Sequence, residues 1–137
     1  MELFDTSALV LAAKHAAAAH ELRETIMTGR LAVTDIIVVE YLNGARNLAE
    51  YDRFAWSLDA ATRLRTDPGD WDRVLVVHRL LAGSGAGHQR SVSVPDLVIA
   101  AVAERHGAVL VHYDADYDRI AAITGQPARW VVPRGLV

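Results

Sequence analysis

The sequence predicts an α/β fold built on a parallel sheet, and three observations predict it. Short apolar runs of strand length recur at Glu2-Leu3-Phe4, Leu31-Ala32-Val33, Ala108 to Val111 and Trp130-Val131-Val132. Stretches of helical character separate them, and strands alternating with helices call for a parallel sheet covered on both faces. The 137 residues, 52% hydrophobic and 23% charged, suit one globular domain spanning residues 1–137. A chain of this length buries roughly 65–70% of its unfolded surface and holds a core without staples.

The elements follow in order. The first strand ends at Asp5-Thr6-Ser7, after which Ala8 to Met27 is alanine- and leucine-rich, one helix or a pair, closed at Gly29. Leu31-Ala32-Val33 leads through Thr34, a helix cap, into a helix over Asp35 to Leu42 that stops near Asn43-Gly44. From Asn47 to Arg65, apolar residues at Leu48, Tyr51, Phe54, Ala55, Leu58, Ala61 and Leu64 keep close to a 3.6-residue period and predict one long amphipathic helix. Asp67-Pro68-Gly69 ends it, and a further helix is expected from Asp70 to Ala82. Gly83-Ser84-Gly85-Ala86-Gly87 reads as a loop. Its Gly-x-Gly-x-Gly string follows a helix, whereas a dinucleotide fingerprint follows a strand and opens a helix. Pro95-Asp96 opens a strongly apolar helix ending at His106-Gly107, with proline in its first turn and glycine after its last. The strand Ala108 to Val111 then delivers the chain to His112-Tyr113-Asp114-Ala115-Asp116, a short helix ends near Gly125, and Trp130 to Val132 is the last strand.

Composition excludes several functions. There are no cysteines, which removes disulfides, thiolate zinc sites and cysteine nucleophiles and fits a reducing compartment. The longest apolar run, Leu97 to Ala103, has seven residues, against the roughly 18 a membrane span requires. The opening Met1-Glu2-Leu3-Phe4-Asp5 carries an acid where an export signal carries Lys or Arg, so a cytoplasmic protein is expected. A net charge of −3, from 14 basic and 17 acidic residues, makes any nucleic-acid contact a local one. Lys14 is the only lysine among those 14.

The acids carry the functional signal. Glu40 lies within Ile36-Ile37-Val38-Val39-Glu40-Tyr41-Leu42, where apolar side chains occupy almost every direction around a helix. Burying that carboxylate alone would cost several kcal/mol, so an arginine or a bound cation is expected to meet it. Asp96 sits in the first turn of the most apolar helix, and Asp5 and Asp114 fall just past strand ends, where ligands collect in open α/β sheets. Each has an ordinary explanation as a cap or turn former. Together with Asp116 they bring four or five carboxylates to one rim with no lysine to neutralise them, and the usual remedy is a hard divalent cation, Mg²⁺ or Mn²⁺. Such a pocket suits hydrolysis at phosphorus.

The segments Leu3-Phe4-Asp5-Thr6-Ser7-Ala8-Leu9, Val33-Thr34 with Glu40-Tyr41-Leu42, Pro95-Asp96-Leu97-Val98-Ile99-Ala100-Ala101 and Leu110-Val111-His112-Tyr113-Asp114-Ala115-Asp116-Tyr117 resemble, in order and over nearly the whole chain, those of PIN-domain ribonucleases. Among these they are similar to VapC toxins of type II toxin–antitoxin pairs. The resemblance implies a three-layer α/β/α fold and Mg²⁺- or Mn²⁺-dependent endonucleolytic cleavage of RNA, structured tRNA or rRNA being the expected substrate. It also implies a homodimer and a VapB-like antitoxin whose C-terminal segment fills the active-site groove. By position, Asp5, Glu40, Asp96 and Asp114 match the acidic quartet, Asp116 a further acid, and Ser7 a hydroxyl that supports the first aspartate. The chain has His112 where many relatives carry Thr or Ser, so a neutral imidazole could position water or substrate there. It has Tyr117 where many carry Phe, a conservative exchange.

Other signals are weaker. The six histidines show no H-x-x-x-H spacing, and His106 suits a helix C-terminus. Arg46, Arg53, Arg63 and Arg65, and the later Arg119, Arg129 and Arg134, either line solvated faces or contact phosphates. Trp56 and Trp71 are expected in the core, while Trp130 and Tyr113, near the rim, could stack on an unpaired base. A competing function is a metal-free interaction module on the same fold, for which His112 speaks. A phosphorelay receiver would need a lysine beside its acid, and Lys14 lies in the first helical segment. A haloacid-dehalogenase-type phosphatase would need an acid where Ser7 stands.

Overall fold

Leu3, Phe4 and Val33 have no polar side to show to water, and the strands they occupy lie at the centre of the sheet. The computed structural model describes residues 1–85 and 87–137. Its strands β1 (Glu2–Phe4), β2 (Leu31–Thr34), β3 (Thr62–Leu64), β4 (Val109–His112) and β5 (Ala128–Trp130) form one sheet in the order β3-β2-β1-β4-β5. All four pairings are parallel, with Leu3 opposite Ala32 and Leu110, and His112 opposite Trp130. Helices α1 (Thr6–Ala12), α2 (Ala16–Met27), α3 (Asp35–Leu42), α4 (Leu48–Ser57), α5 (Pro68–Ser84), α6 (His88–Ser91), α7 (Val94–Arg105) and α8 (Asp116–Thr124) cover both sides. This is the expected α/β/α architecture.

The core follows from sequence pattern. Residues 97–103 of α7 are all buried, as a helix apolar on every side must be. Ser93 caps its start by accepting the Asp96 N–H, and Gly107, at φ 62°, ends it in the left-handed conformation before β4 begins. The Thr34 hydroxyl accepts the Ile37 N–H at 3.2 Å and starts α3 where expected.

Four expectations are corrected. The long helix predicted from Asn47 to Arg65 stops at Ser57, passes through a 3₁₀ turn over Leu58–Ala60, and gives way to β3. Ala61 and Leu64 satisfy a helical period, but backbone pairing of Ala32, Val33 and Thr34 with Thr62, Arg63 and Leu64 outweighs it. Trp56 and Trp71 are 77% and 49% exposed rather than core residues. The helix expected to end at Ala82 runs on through Ser84, so Gly83 and Ser84 are helical, and α6 opens directly after Gly87. Of that glycine-rich stretch, Ala86 lies outside the described residues. The last strand ends at Trp130, and Val131 and Val132 are buried beyond it.

Candidate functional site

In the order β3-β2-β1-β4-β5 the chain moves outward on one side of β1 and then returns to build the other, so the topological switch point lies between β1 and β4. Asp5 follows β1 directly and Asp114 stands two residues past β4, one on each side of the crevice. The fold itself therefore puts two of the predicted acids together.

Asp5 is the N-cap of α1 and is almost fully buried. Its Oδ2 accepts the Ser7 N–H at 3.0 Å and the Ser7 hydroxyl at 2.6 Å. The Ser7 Oγ in turn accepts the Tyr113 N–H at 3.0 Å, so one serine straps the end of β1 to the end of β4. Truncating it in Ser7→Ala is expected to cost about 1 kcal/mol of stability, read from thermal unfolding, because two hydrogen bonds are lost and a backbone N–H is orphaned. Asp96 arrives from the first turn of α7, where the seven apolar residues after it anchor the helix. Asp114 and Asp116 are joined in a turn, with the Asp116 N–H donating to Asp114 Oδ1 at 2.9 Å. Their two-residue spacing thus becomes a turn, and it still presents both carboxylates on one side: oxygens of Asp96, Asp114 and Asp116 lie within 4.8 Å of one another.

Asp5 stands outside that trio and reaches it through Tyr117, expected from the sequence to be a conservative exchange. The Tyr117 hydroxyl lies 2.7 Å from Asp5 Oδ1 and 3.0 Å from Asp96 Oδ1. The exchange of Phe for Tyr is therefore not neutral here. The signal available in the sequence was chemical: a tyrosine on the inner face of a helix needs a partner for its hydroxyl, and acids were the partners at hand.

Glu40 is partly buried, as its apolar helix requires, but no arginine meets it; among the described residues its bond is to the Thr6 hydroxyl, 2.8 Å from Oε1. Thr6 lies between Asp5 and Ser7 in the chain, so this bond ties Glu40 to the same turn that carries Asp5. His112 is fully buried with its ring against Tyr117 and Trp130, centroids 5.1 Å apart in each case. Its Nδ1 accepts the Asp114 N–H at 3.2 Å, which leaves the proton on Nε2, and Nε2 has no hydrogen-bond partner. The imidazole braces the Asp114 backbone from below and does not offer itself to water or substrate at the rim.

Electrostatics agree with crowding of like charge. Burial, then the charge of Asp5, pushes the Asp96 carboxyl up to about 6, with Asp114 adding to the rise and the Tyr117 and Ser93 hydrogen bonds opposing it. Burial and the Asp114 charge also raise Asp116, against the pull of Arg119. Burial and the charges of Asp5 and Asp96 hold the Tyr117 phenol in its protonated form. Burial lowers His112, which stays neutral although Asp118, Asp5 and Asp114 oppose the shift.

These donors fit a hard divalent ion. All are carboxylate oxygens, the donor type that Mg²⁺ and Mn²⁺ prefer. The arginines mostly serve elsewhere: Arg46 and Arg53 pair with Glu50, Arg63 and Arg65 with Asp35, and Arg129 with Glu2. At the rim, Arg119 donates to the Ser91 hydroxyl at 2.6 Å and Arg134 lies over the Trp130 ring at 5.3 Å.

The family model described as PIN domain matches residues 3–123. This chain belongs to the PIN domain family. Relatives of this PIN domain include Ribonuclease VapC18 of Mycobacterium tuberculosis, 41% identical over 131 residues that cover 96% of this chain and 95% of the relative. Ribonuclease VapC51 of the same organism is 44% identical over 109 residues, 80% of this chain and 77% of the relative. Among solved structures, a toxin–antitoxin complex from Klebsiella pneumoniae superposes with a TM-score of 0.72 at 20% identity, covering 96% of this PIN domain and 98% of that chain. That likeness is one of fold, and it bears out the three-layer architecture. No helix among the described residues of this PIN domain is long and apolar enough to cross a membrane.

Proposed function

We propose that this PIN domain, residues 1–137 acting as one unit, is a metal-dependent endoribonuclease of the VapC kind, cutting structured tRNA or rRNA. One observation carries the proposal: oxygens of Asp96, Asp114 and Asp116 converge within 4.8 Å at the switch point. Relatives about 40% identical carry the name ribonuclease, which supports the reaction class. Asp96, Asp114 and Asp116, with Asp5 and Glu40 beside them, would hold Mg²⁺ or Mn²⁺. Bound there, the ion would supply a nucleophilic hydroxide and charge stabilisation at the scissile phosphate. Ser7 orients Asp5 through two hydrogen bonds to its Oδ2. Glu40 has one oxygen on the Thr6 hydroxyl at 2.8 Å, and among the described residues its other oxygen takes no hydrogen bond.

The solved neighbours include VapBC from Salmonella typhimurium, described as DNA-bound. They support a VapB-like antitoxin as the partner that silences this nuclease, and the nuclease itself is proposed to be a homodimeric toxin acting in the cytoplasm. A metal-free interaction module draws its support from His112, and that support is weak because the ring lies beneath the acids and not among them.

The test is an incubation of the purified, partner-free protein with total tRNA and rRNA fragments under Mg²⁺, Mn²⁺ and EDTA. Discrete cuts that need the metal are expected. Cutting that persists in EDTA would remove the metal mechanism.

A further inference from the structure

We propose that Tyr117 is a positioning residue for the cation, a hydroxyl clasp that holds Asp5 against the Asp96, Asp114 and Asp116 trio before any ion arrives. The inference rests on the metal-dependent reading above and extends it to a residue outside the acidic set.

Asp5 and Asp96 come from different elements, the end of β1 and the first turn of α7. Among the described residues no side-chain hydrogen bond joins those elements at the site except through the Tyr117 hydroxyl, at 2.7 Å and 3.0 Å. The hydroxyl does not swing. Tyr117 is 1% exposed, its ring packs on His112, and its N–H donates to the Asp114 carbonyl at 3.2 Å. The same residue is thus tied to Asp114 by its backbone and to Asp5 and Asp96 by its side chain, so it contacts three of the five acids at once.

A buried tyrosine ordinarily gives its proton to a backbone carbonyl or a single side chain. Here one hydroxyl, with a single proton, lies within hydrogen-bond distance of two carboxylates, nearer Asp5 than Asp96. Without the hydroxyl, like charge favours separation of Asp5 from Asp96, and Asp5 would be less well placed to help hold a cation. Hydrogen-bonding partners that orient ligand carboxylates typically contribute 10–100-fold in metal affinity. Ser7 does not replace the clasp, because it holds Asp5 by Oδ2 and makes no bond to Asp96.

The experiment is a calorimetric Mn²⁺ titration of the wild-type protein and Tyr117→Phe, with thermal unfolding of both in the absence of metal. The phenylalanine ring fills the same space, and the expected result is unchanged stoichiometry with about tenfold weaker binding. A phenol that serves only the fold would lower the metal-free unfolding midpoint and leave the Mn²⁺ dissociation constant within twofold, and that result overturns the proposal. Absence of Mn²⁺ binding to the wild type overturns the metal-dependent reading itself, and this inference with it, so the two failures are told apart. Should the variant not fold, the wild type still decides. With ¹³C at the tyrosine ring carbon bearing oxygen, and Tyr41, Tyr51 and Tyr113 assigned by their own variants, the Tyr117 resonance is expected to move on saturation with Mg²⁺; a stationary resonance overturns the clasp.

Discussion

Asp96→Asn is expected to lower RNA cleavage by a thousandfold or more, about 4 kcal/mol of barrier, while making the metal-free protein more stable. Asp96 is the only acid that belongs both to the converging trio and to the Tyr117 bridge to Asp5. Asparagine keeps the shape and one oxygen but removes the charge that a hard cation requires. The stability gain has the opposite origin. Burial and the neighbouring Asp5 raise the Asp96 carboxyl from 3.8 to about 6, so the folded state disfavours its ionised form. For a carboxyl raised in this way, wild-type stability falls as pH climbs from about 4 to about 6, and the full cost is present at neutral pH. A neutral asparagine escapes it, for a gain on the order of 1–2 kcal/mol at pH 7 after allowance for solvent. Cleavage assays and melting curves at pH 4 and pH 7 check both halves, with Asp72→Asn, an exposed acid on α5, as the control that keeps full activity. Loss of cleavage together with loss of stability would mean that the charge is structural. Such opposition of stability and activity is the usual mark of a functional cluster.

Arg105→Met, at the far end of α7 from Asp96, is expected to cost about 3 kcal/mol of stability. Arg105 donates from Nε and Nη2 to the two oxygens of Asp70, at 2.9 and 3.0 Å, and from Nη2 to the Arg65 carbonyl at 2.8 Å. Asp70 is 2% exposed. Methionine preserves the aliphatic stem and leaves a buried carboxylate with only the Asp67 N–H at 2.9 Å. Burial alone would raise Asp70, yet the Arg105 hydrogen bonds, the Asp67 N–H and the charges of Arg105 and His106 bring it below its ordinary value. The sign follows: this pair stabilises the wild type above about pH 4, and its contribution fades as pH falls through the lowered folded value. In the variant that acid limb should disappear. Urea unfolding at pH 7 and pH 3 measures the difference, and a variant within 0.5 kcal/mol of wild type at both, in keeping with an exposed pair, would refute the role. The pair matters to the site because Arg105 holds the C-terminal end of the helix whose first turn presents Asp96.

Much of this was legible in the residues. Asp5, Asp96 and Asp114 announce themselves because a carboxylate at a strand end or in an apolar helix is expensive unless something uses it. The helix of residues 94–105 and the strand of residues 109–112 have one-sided solutions, since a run such as Leu97 to Ala103 has nowhere to go but the interior. Residues 62–64 were not legible. Leu58, Ala61 and Leu64 fit a helix as well as the turn and strand that they form, and only the vacant edge of β2 distinguishes the two. Trp56 and Trp71 misled for a related reason: hydrophobicity alone does not say whether a neighbouring element exists to cover a side chain.

The amino-acid sequence by itself determined the class of fold and most of its elements, and it singled out five acids as candidates, because periodicity, caps and the cost of buried charge are local properties that each segment carries with it. The tertiary structure decided what those acids are to one another. That Asp114 and Asp116 share a side across a turn, that Glu40 answers to Thr6 and not to an arginine, that His112 faces the core, and that Tyr117 ties Asp5 to Asp96 all depend on contacts between elements far apart in the chain. Such contacts are set by how helices seat on a sheet, a balance of packing over the whole domain that no single segment contains.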